Sequence, residues 1–432
     1  MKQRIAAAVG GLWRDRSGVT AVLTALGAVV LLGFTGLAID VVTWEVAQHK
    51  MQSAADAAAL AASIAAYTDT DQNATNAADA VAASYGYVNG QNGTNVTVTS
   101  PYSGNGVQNG VQVVISQSQP QFFSRLFLAS APTVTVQAAA RLPAGSGSMC
   151  VMTLGGSGKL AVGDATFTGN TTVNMSTCDL YNNSTAANST ELNGSSTLDV
   201  RNMYLAGDYT RGGSARLSIS GTAATYVTPA NDPYAAMSIP SYSGCSQTNY
   251  TLGPSQSFTI NPGSTPYVFC GNTDIKGTLT LGPGTYIIDG GNFTAESQAT
   301  ITGTGVTIIL TSSTGSNYGT VTINGGATVS LTAPTTGATA GVPGIAFWID
   351  KHAPLATNTF NGGASQNING VIYMPSQEVD YSGGSSQGTT CLQLIAETVT
   401  FIGNSTTYVT QTGCSAANLA IKQPPLPPTL AG

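Results

Sequence analysis

The residues of this chain best suited to covalent chemistry are its six cysteines: Cys150, Cys178, Cys245, Cys270, Cys391 and Cys414. An even number with no C-x-x-C spacing points to disulfides formed in an oxidising compartment. Zinc is the competing use of such thiols, but His49 and His352 are the only histidines available to complete a site. Sequential pairing, Cys150 with Cys178, Cys245 with Cys270 and Cys391 with Cys414, would close three short loops. Each would contribute about 2–4 kcal/mol by restricting the unfolded chain. Acid and base groups of the kind used by polysaccharide lyases and hydrolases occur in Asp350-Lys351-His352 and in Glu378-x-Asp380. The first group follows the apolar run Ile345 to Ile349 as loop residues commonly do. The second places two carboxylates on one strand face, where they repel at neutral pH unless a cation binds. Asp69-Thr70-Asp71-Gln72-Asn73 opens like a calcium loop, but Ala74 stands where the turn requires glycine, so a solvated turn is expected. No catalytic, cofactor or metal site is therefore assigned, and the chain is expected not to be an enzyme.

The elements that carry these residues read as short strands. From Cys150 onward, alternating apolar runs surround a recurring glycine step at Gly169, Gly194, Gly277, Gly325, Gly362, Gly383 and Gly403. Several of these spacings are roughly 20–25 residues, close to one coil of a parallel β-helix. In such a coil, inward Val, Ile, Leu and Phe stack into a column, and Gly or Asn turns the corner. A β-sandwich is the rival architecture for the same alternation. Only 8% of residues are charged, against the ~25% usual for soluble domains. The net charge of −6 includes four basic residues that precede residue 18, so the remainder is more acidic still. With no basic patch to hold phosphates, the composition argues against nucleic acid as a partner.

Ahead of this region stands an uncharged run from Gly18 to Ile39, including Leu26, Leu31 and Phe34, long enough to cross ~30 Å of hydrocarbon. Lys2, Arg4, Arg14 and Arg16 precede it, while Asp40 and Glu45 follow, which places the N-terminus in the cytoplasm and the remainder outside. A cleaved signal peptide would have a shorter apolar region and a small-x-small exit site. A soluble core helix would show a polar face. Retention as a transmembrane anchor is the reading adopted. Gly33 and Gly36 would let a neighbouring helix approach. Helical spacing continues through Val41, Trp44, Met51, Ala54, Ala58 and Ala61, and alanine nearly saturates Ala54 to Ala66, which suits a helix packed on a sheet.

Three N-terminal segments then carry a resemblance. Arg16-Ser17-Gly18-Val19-Thr20-Ala21-Val22, Gly36-Leu37-Ala38-Ile39-Asp40 and Gln52-Ser53-Ala54-Ala55-Asp56-Ala57-Ala58-Ala59-Leu60-Ala61-Ala62 together resemble the N-terminal domain of TadE/TadG-like proteins. These belong to bacterial tight-adherence (Flp) pilus-assembly systems. Asp40, Ala55, Asp56 and Leu60 are the motif positions. The resemblance implies a role in building adhesive pili, without enzymatic activity. Leu23 stands where processed prepilin-like members carry glutamate, five residues after the cleavage glycine, which speaks against processing at Gly18. The D-x-S-x-S metal motif of a von Willebrand factor type A domain, common in longer TadG proteins, does not occur.

Between the anchor and the cysteines, the sequence predicts a helix from about Ala74 to Tyr85 and strands at Val96–Thr99, Val111–Ile115 and Thr133–Ala138. It also predicts a short amphipathic helix at Gln121–Leu128, with Arg125 a solvated charge. A long helix laid on this small antiparallel sheet would be a pilin-like α+β domain. Pro229, Pro233 and Pro240 mark Tyr226 to Gly244 as a loop crossing the side of the coils, and Gln423 to Pro428 reads as a polyproline II tail trailing in solvent. The divisions expected are a cytoplasmic segment 1–17, an anchor 18–39, a pilin-like domain 40–149, an all-β right-handed parallel β-helix 150–417 and a Pro-rich tail 418–432. The expected function is that of a structural protein of the tight-adherence pilus system, held in the inner membrane by a single pass. Its body would lie in the periplasm or at the cell surface, contributing to pilus biogenesis or adhesion. Partners would be other pilus components and, given the polar Thr, Ser and Asn rows, surface glycans. The alternative is a membrane-tethered, carbohydrate-active β-helix enzyme.

Overall fold

A computed structural model describes residues 17–68, 71–104, 107–141, 148–155, 164–361, 366–382, 390–404, 406–424 and 429–430. The chain forms two compact units, one of residues 1–144 with 428–432 and one of 145–427.

In the first unit a single 52-residue helix, α1 (Ser17–Thr68), spans roughly 78 Å at ~1.5 Å per residue. Two environments divide it. Its upper half buries Met51, Ala54, Ala55, Ala58, Ala59 and Ala62. These rest on Val111, Val113, Ile115, Val136, Ala138 and Ala140 of a sheet. Alanine is suited to both tasks, having the best helix propensity and no side chain to hold the backbone away from the strands. The sheet comprises β1 (Thr94–Gly104), β2 (Val107–Ser118) and β3 (Thr133–Arg141), all antiparallel. A second helix, α2 (Asp71–Ser84), adds Ala74, Ala78 and Ala82 to the same core at helical spacing.

Two expectations need correction here. The stretch 121–128 forms no amphipathic helix, only a 3-10 turn at Ser124–Leu126, because its apolar residues face outward and no packed face stabilises a longer one. Of the expected tail, residues 425–428 lie outside the described residues, but its first residue does not trail: Gln423 accepts the Met149 N–H at 2.7 Å. Further on, Thr429–Leu430 pair antiparallel with Arg141 and Ala140 on the open edge of β3, where unpaired strand groups supply ready partners.

The second unit is built from short parallel strands stacked layer on layer. Thr278 lies opposite Thr300 and Thr300 opposite Thr328. On a neighbouring side Ile287 lies opposite Ile309, and Ile309 opposite Trp348. Inward residues such as Leu279, Ile301 and Val329 fall in line as a continuous buried column. Thr, Val and Ile recur because β-branched side chains pack well on a pleated, half-buried surface. One corner is a ladder of glycines, Gly403, Gly169, Gly194 and Gly213, all with positive φ. A Cβ on Gly169, Gly194 or Gly213 would also press within 3 Å of the carbonyl oxygen of the glycine in the layer before it. Gly362 and Gly383 lie outside the described residues.

The layers do not follow chain order. Leu392–Ile402, the last long strand, pairs on one side with Gln366–Ser382 and on the other with Met149–Thr153 and Ala165–Phe167. The stack therefore grows from this seam in two directions. The first coils run from residue 149 to Ala223–Ala224; the chain then travels back along the stack through residues 225–246 and restarts at Gln247–Leu252.

That returning segment is a strap. It covers an outward row of large apolar side chains in register across the layers: Val268, Ile287, Ile309, Trp348, Tyr373, Ile395, Met152, Tyr181 and Tyr204. Ala230 exchanges hydrogen bonds with the Asn183 side chain at 2.7 and 2.8 Å. The Tyr234 hydroxyl donates to Gln393 Oε1 at 2.9 Å, and the Tyr373 hydroxyl donates to Asp232 Oδ2 at 2.7 Å. Cys245–Cys270 ties its far end. Strands buried on both faces, such as Ile345–Ile349, follow from this cover.

Candidate functional site

In the first unit the features that point to function gather where α1 leaves its apolar stretch. Leu26, Leu31, Phe34 and Ile39 all lie on α1 with their side chains exposed, Leu31 at 69% and Phe34 at 70%. Gly18 falls in its first turn. The helix is long and apolar enough to cross a membrane. Asp40 terminates this belt and is fully buried. Its carboxylate accepts the backbone N–H groups of Phe122 (3.3 Å), Phe123 (3.0 Å) and Ser124 (2.6 Å). Burial pulls the Asp40 carboxyl upward, but the N–H groups of Ser124, Phe123 and Phe122 outweigh it. The pKa therefore sits below the ordinary 3.8. Four residues further on, the Trp44 indole donates to the Pro120 carbonyl at 3.1 Å. One turn the other way, the Phe123 ring lies directly on Gly36, where an added Cβ would come within 2.5 Å of it. Gly36 thus receives an aromatic ring from the loop; the expectation of a neighbouring helix there is not what this contact serves.

The other motif positions hold the helix on its sheet. Ala55 is buried in the core, Leu60 packs against it, and Asp56 accepts a 2.8 Å hydrogen bond from Gln52 Nε2. Gln52 also donates to the Gln137 carbonyl on β3, so this polar pair crosses from helix to sheet.

In the second unit all six cysteines are oxidised, as Cys150–Cys178, Cys245–Cys270 and Cys391–Cys414, with Cα separations of 5.6, 5.6 and 4.7 Å. The first and third pairs belong to the coils that meet at the seam. Asp350, Lys351 and His352 line one side of a cleft of about 370 Å³, with Trp348, Tyr373, Met237 and Ile239 as apolar walls. The Asp350 carboxylate is engaged on both oxygens, by Thr311 Oγ1 (2.6 Å) on one and by the His352 N–H (3.0 Å) and Nδ1 (2.8 Å) on the other. Burial raises its pKa, and the Thr311 hydroxyl with His352 lowers it further, leaving it below the ordinary value. The group shapes the turn after Ile345–Ile349.

Glu378 and Asp380 lie on one face of a neighbouring strand, at alternate positions. Glu378 accepts from Thr357 Oγ1 at 2.7 Å. Asp380 is half-buried; burial and the Glu378 charge raise its pKa, with Thr400 opposing. Among the described residues no group of three or more His, Cys, Asp or Glu converges to hold a metal ion. The calcium-like stretch at 69–73 begins outside the described residues; Asp71 and Asn73 lie in α2.

Two further arrangements had weaker signals in the sequence. One is a ladder of side-chain amides at a corner: Asn249 Oδ1 accepts the Asn272 N–H (3.3 Å), Asn272 Oδ1 that of Asn292 (3.0 Å), and Asn292 Oδ1 that of Thr320 (3.0 Å). The Gly-Asn pairs at 271–272 and 291–292 were its trace. The other is the buried Asp179, held by Arg201 through two 2.8 Å bonds and by Asn202 through a third.

Comparison with known families matches residues 18–66 to the Tad model, described as Flp pilus-assembly TadE/G-like. No curated protein and no solved structure matched the chain.

Proposed function

We propose that this chain is a membrane-anchored structural protein of a tight-adherence (Flp) pilus-assembly system, acting in pilus biogenesis or surface adhesion. The observation that carries the reading is the coincidence of the Tad match at residues 18–66 with a helix whose first half exposes Leu26, Leu31 and Phe34 and whose second half is buried on a sheet. A side chain such as Leu31, left in water, forfeits roughly 1.5–3 kcal/mol of burial. A row of them on one helix is stable only where something apolar surrounds it. In this reading α1 spans the inner membrane with its N-terminus in the cytoplasm, and the strand stack, a right-handed parallel β-helix with three disulfides, stands outside.

The polar surface of the stack suits contact with other pilus components. A glycan ligand rests on composition alone and forms no part of the proposal. A non-catalytic role is favoured by the engagement of both Asp350 oxygens.

Two measurements test this. The full-length protein should remain with inner-membrane vesicles after alkaline extraction; recovery as a soluble species with reduced thiols would sink the anchor. Deleting the coding region should abolish pili or surface attachment: pili lost means assembly, pili retained with attachment lost means adhesion. Normal pili with normal attachment would overturn the pilus role.

A further inference from the structure

Among the described residues outside α1, the loop between β2 and β3 carries the longest run of exposed large apolar side chains. Phe122, Phe123, Leu126, Phe127 and Leu128 are all exposed, Leu126 at 78% and Phe127 at 68%, although only Ser124 among their neighbours is buried. Soluble surfaces scatter such residues singly; five on one loop mark an interaction site.

The loop is fixed to α1 at three successive turns of one helix face. The Trp44 indole holds Pro120, the Asp40 carboxylate holds the N–H groups of Phe122 to Ser124, and Gly36 seats the Phe123 ring. Residues 36, 40 and 44 lie four apart, so the loop descends the helix towards its apolar half. Phe123 ends about one turn, ~5.4 Å, below Asp40. One further turn down the same helix face stands Leu32, itself 70% exposed, so the loop ends immediately above the exposed apolar half of α1.

We infer that this loop is a second membrane contact: Phe122, Phe123, Leu126, Phe127 and Leu128 insert into the outer face of the same bilayer that α1 crosses, beside the point where α1 leaves it. The inference rests on the anchor reading above. Its occupant is lipid because the loop stands one turn above Leu32 on the helix whose apolar half crosses the membrane, and because aromatic and aliphatic side chains on an anchored loop suit the headgroup–acyl boundary, where such elements bury about 5–10 Å deep. Arg125, exposed in the middle of the loop, is placed to extend towards lipid phosphates while its stem covers apolar surface. Asp40 satisfies the loop's backbone N–H groups, which would otherwise be left without partners in an apolar medium. The consequence is geometric: with a single helix the first unit could swivel on the membrane, whereas a helix plus a wedge fixes its orientation.

The test uses the oxidised full-length protein in liposomes. Every native cysteine is disulfide-bonded, so one introduced cysteine is the only thiol to label. An environment-sensitive fluorophore is placed at Leu126→Cys or Phe127→Cys, with Leu31→Cys as the helix control and Thr97→Cys, exposed on β1, as the aqueous control. The 126 and 127 labels should emit to the blue and be quenched by lipids carrying a nitroxide near the headgroup. Label 31 should be quenched by a nitroxide deep in the acyl chain, and label 97 by neither. If label 31 is quenched and labels 126 and 127 are not, the wedge is overturned and the anchor stands. Blue-shifted loop labels untouched by any lipid nitroxide would mean that protein covers the loop, which also overturns it. Absence of quenching at label 31 removes the anchor itself.

Discussion

Phe401, on the last long strand of the body, stacks on Phe167, near its beginning, with ring centroids 5.3 Å apart and planes inclined by 8°. The pair closes the seam where the early and late parts of the chain meet and from which the stack grows in both directions. Tyr381 and Phe360 continue the column, at 6.0 and 5.8 Å. Phe401→Ala should therefore destabilise the body by about 3–5 kcal/mol, read as a lower denaturant midpoint. Leu217→Ala, only partly buried near the outer end of the first coils, should have the smaller effect. Equal losses at the two sites would mean that the stacked column at the seam contributes no more than the outer coils.

The strap depends on Tyr234, whose hydroxyl donates to Gln393 Oε1 and accepts the Lys422 N–H at 2.8 Å. Tyr234→Phe leaves the buried Gln393 oxygen without a donor and frees the Lys422 N–H, and should cost about 1–3 kcal/mol. Tyr234→Ala also removes the ring packed 5.5 Å from Tyr373 and should expose 225–246 to limited proteolysis while the coils remain folded. Unchanged cleavage in the alanine variant would show that the strap is held by its other contacts.

Asp179 is fully buried and receives both donors of a two-pronged Arg201 contact. Removing the cation in Arg201→Met strands a buried carboxylate, with an expected loss of about 3 kcal/mol. The double variant with Asp179→Leu should recover much of it, since the lone charge is what destabilises. A double variant no better than the single one would contradict this account.

Two carboxylates make opposite contributions to pH dependence. The Asp40 pKa is depressed in the folded protein, so the stability it adds is present above its unfolded value of 3.8 and is lost as pH falls through the lower folded value. The Asp380 pKa is raised, so the stabilisation linked to its proton is present below 3.8 and disappears as pH rises through the folded value. At neutral pH, Asp380→Asn should accordingly raise the melting temperature and flatten the pH profile just above 3.8. Asp40→Asn should instead speed amide exchange at Phe122, Phe123 and Ser124. A melting temperature that falls in Asp380→Asn would reverse the first assignment, and unchanged exchange would reverse the second.

The amino-acid sequence by itself determined the helix, the strand character of the body and the Tad resemblance, because these are local properties. The uncharged run from Gly18 to Ile39, the alanines from Ala54 to Ala66 and the β-branched alternation after Cys150 each act over a few neighbouring residues. Sequential cysteine pairing also followed from proximity along the chain. Only the tertiary structure decided that Leu392–Ile402 lies against Met149–Thr153, that residues 225–246 cover a row from nine strands, and that Asp40 anchors a loop some eighty positions away. The reason is that a parallel layer offers the same backbone donors and acceptors to any neighbour. Which layers meet is fixed by side chains that register only once the coils are built. The misread segments share this cause. The loop at 121–128 has the composition of an amphipathic helix, but its apolar side chains pack on no core that would hold more than one turn, and the last residues found a partner on the free edge of β3.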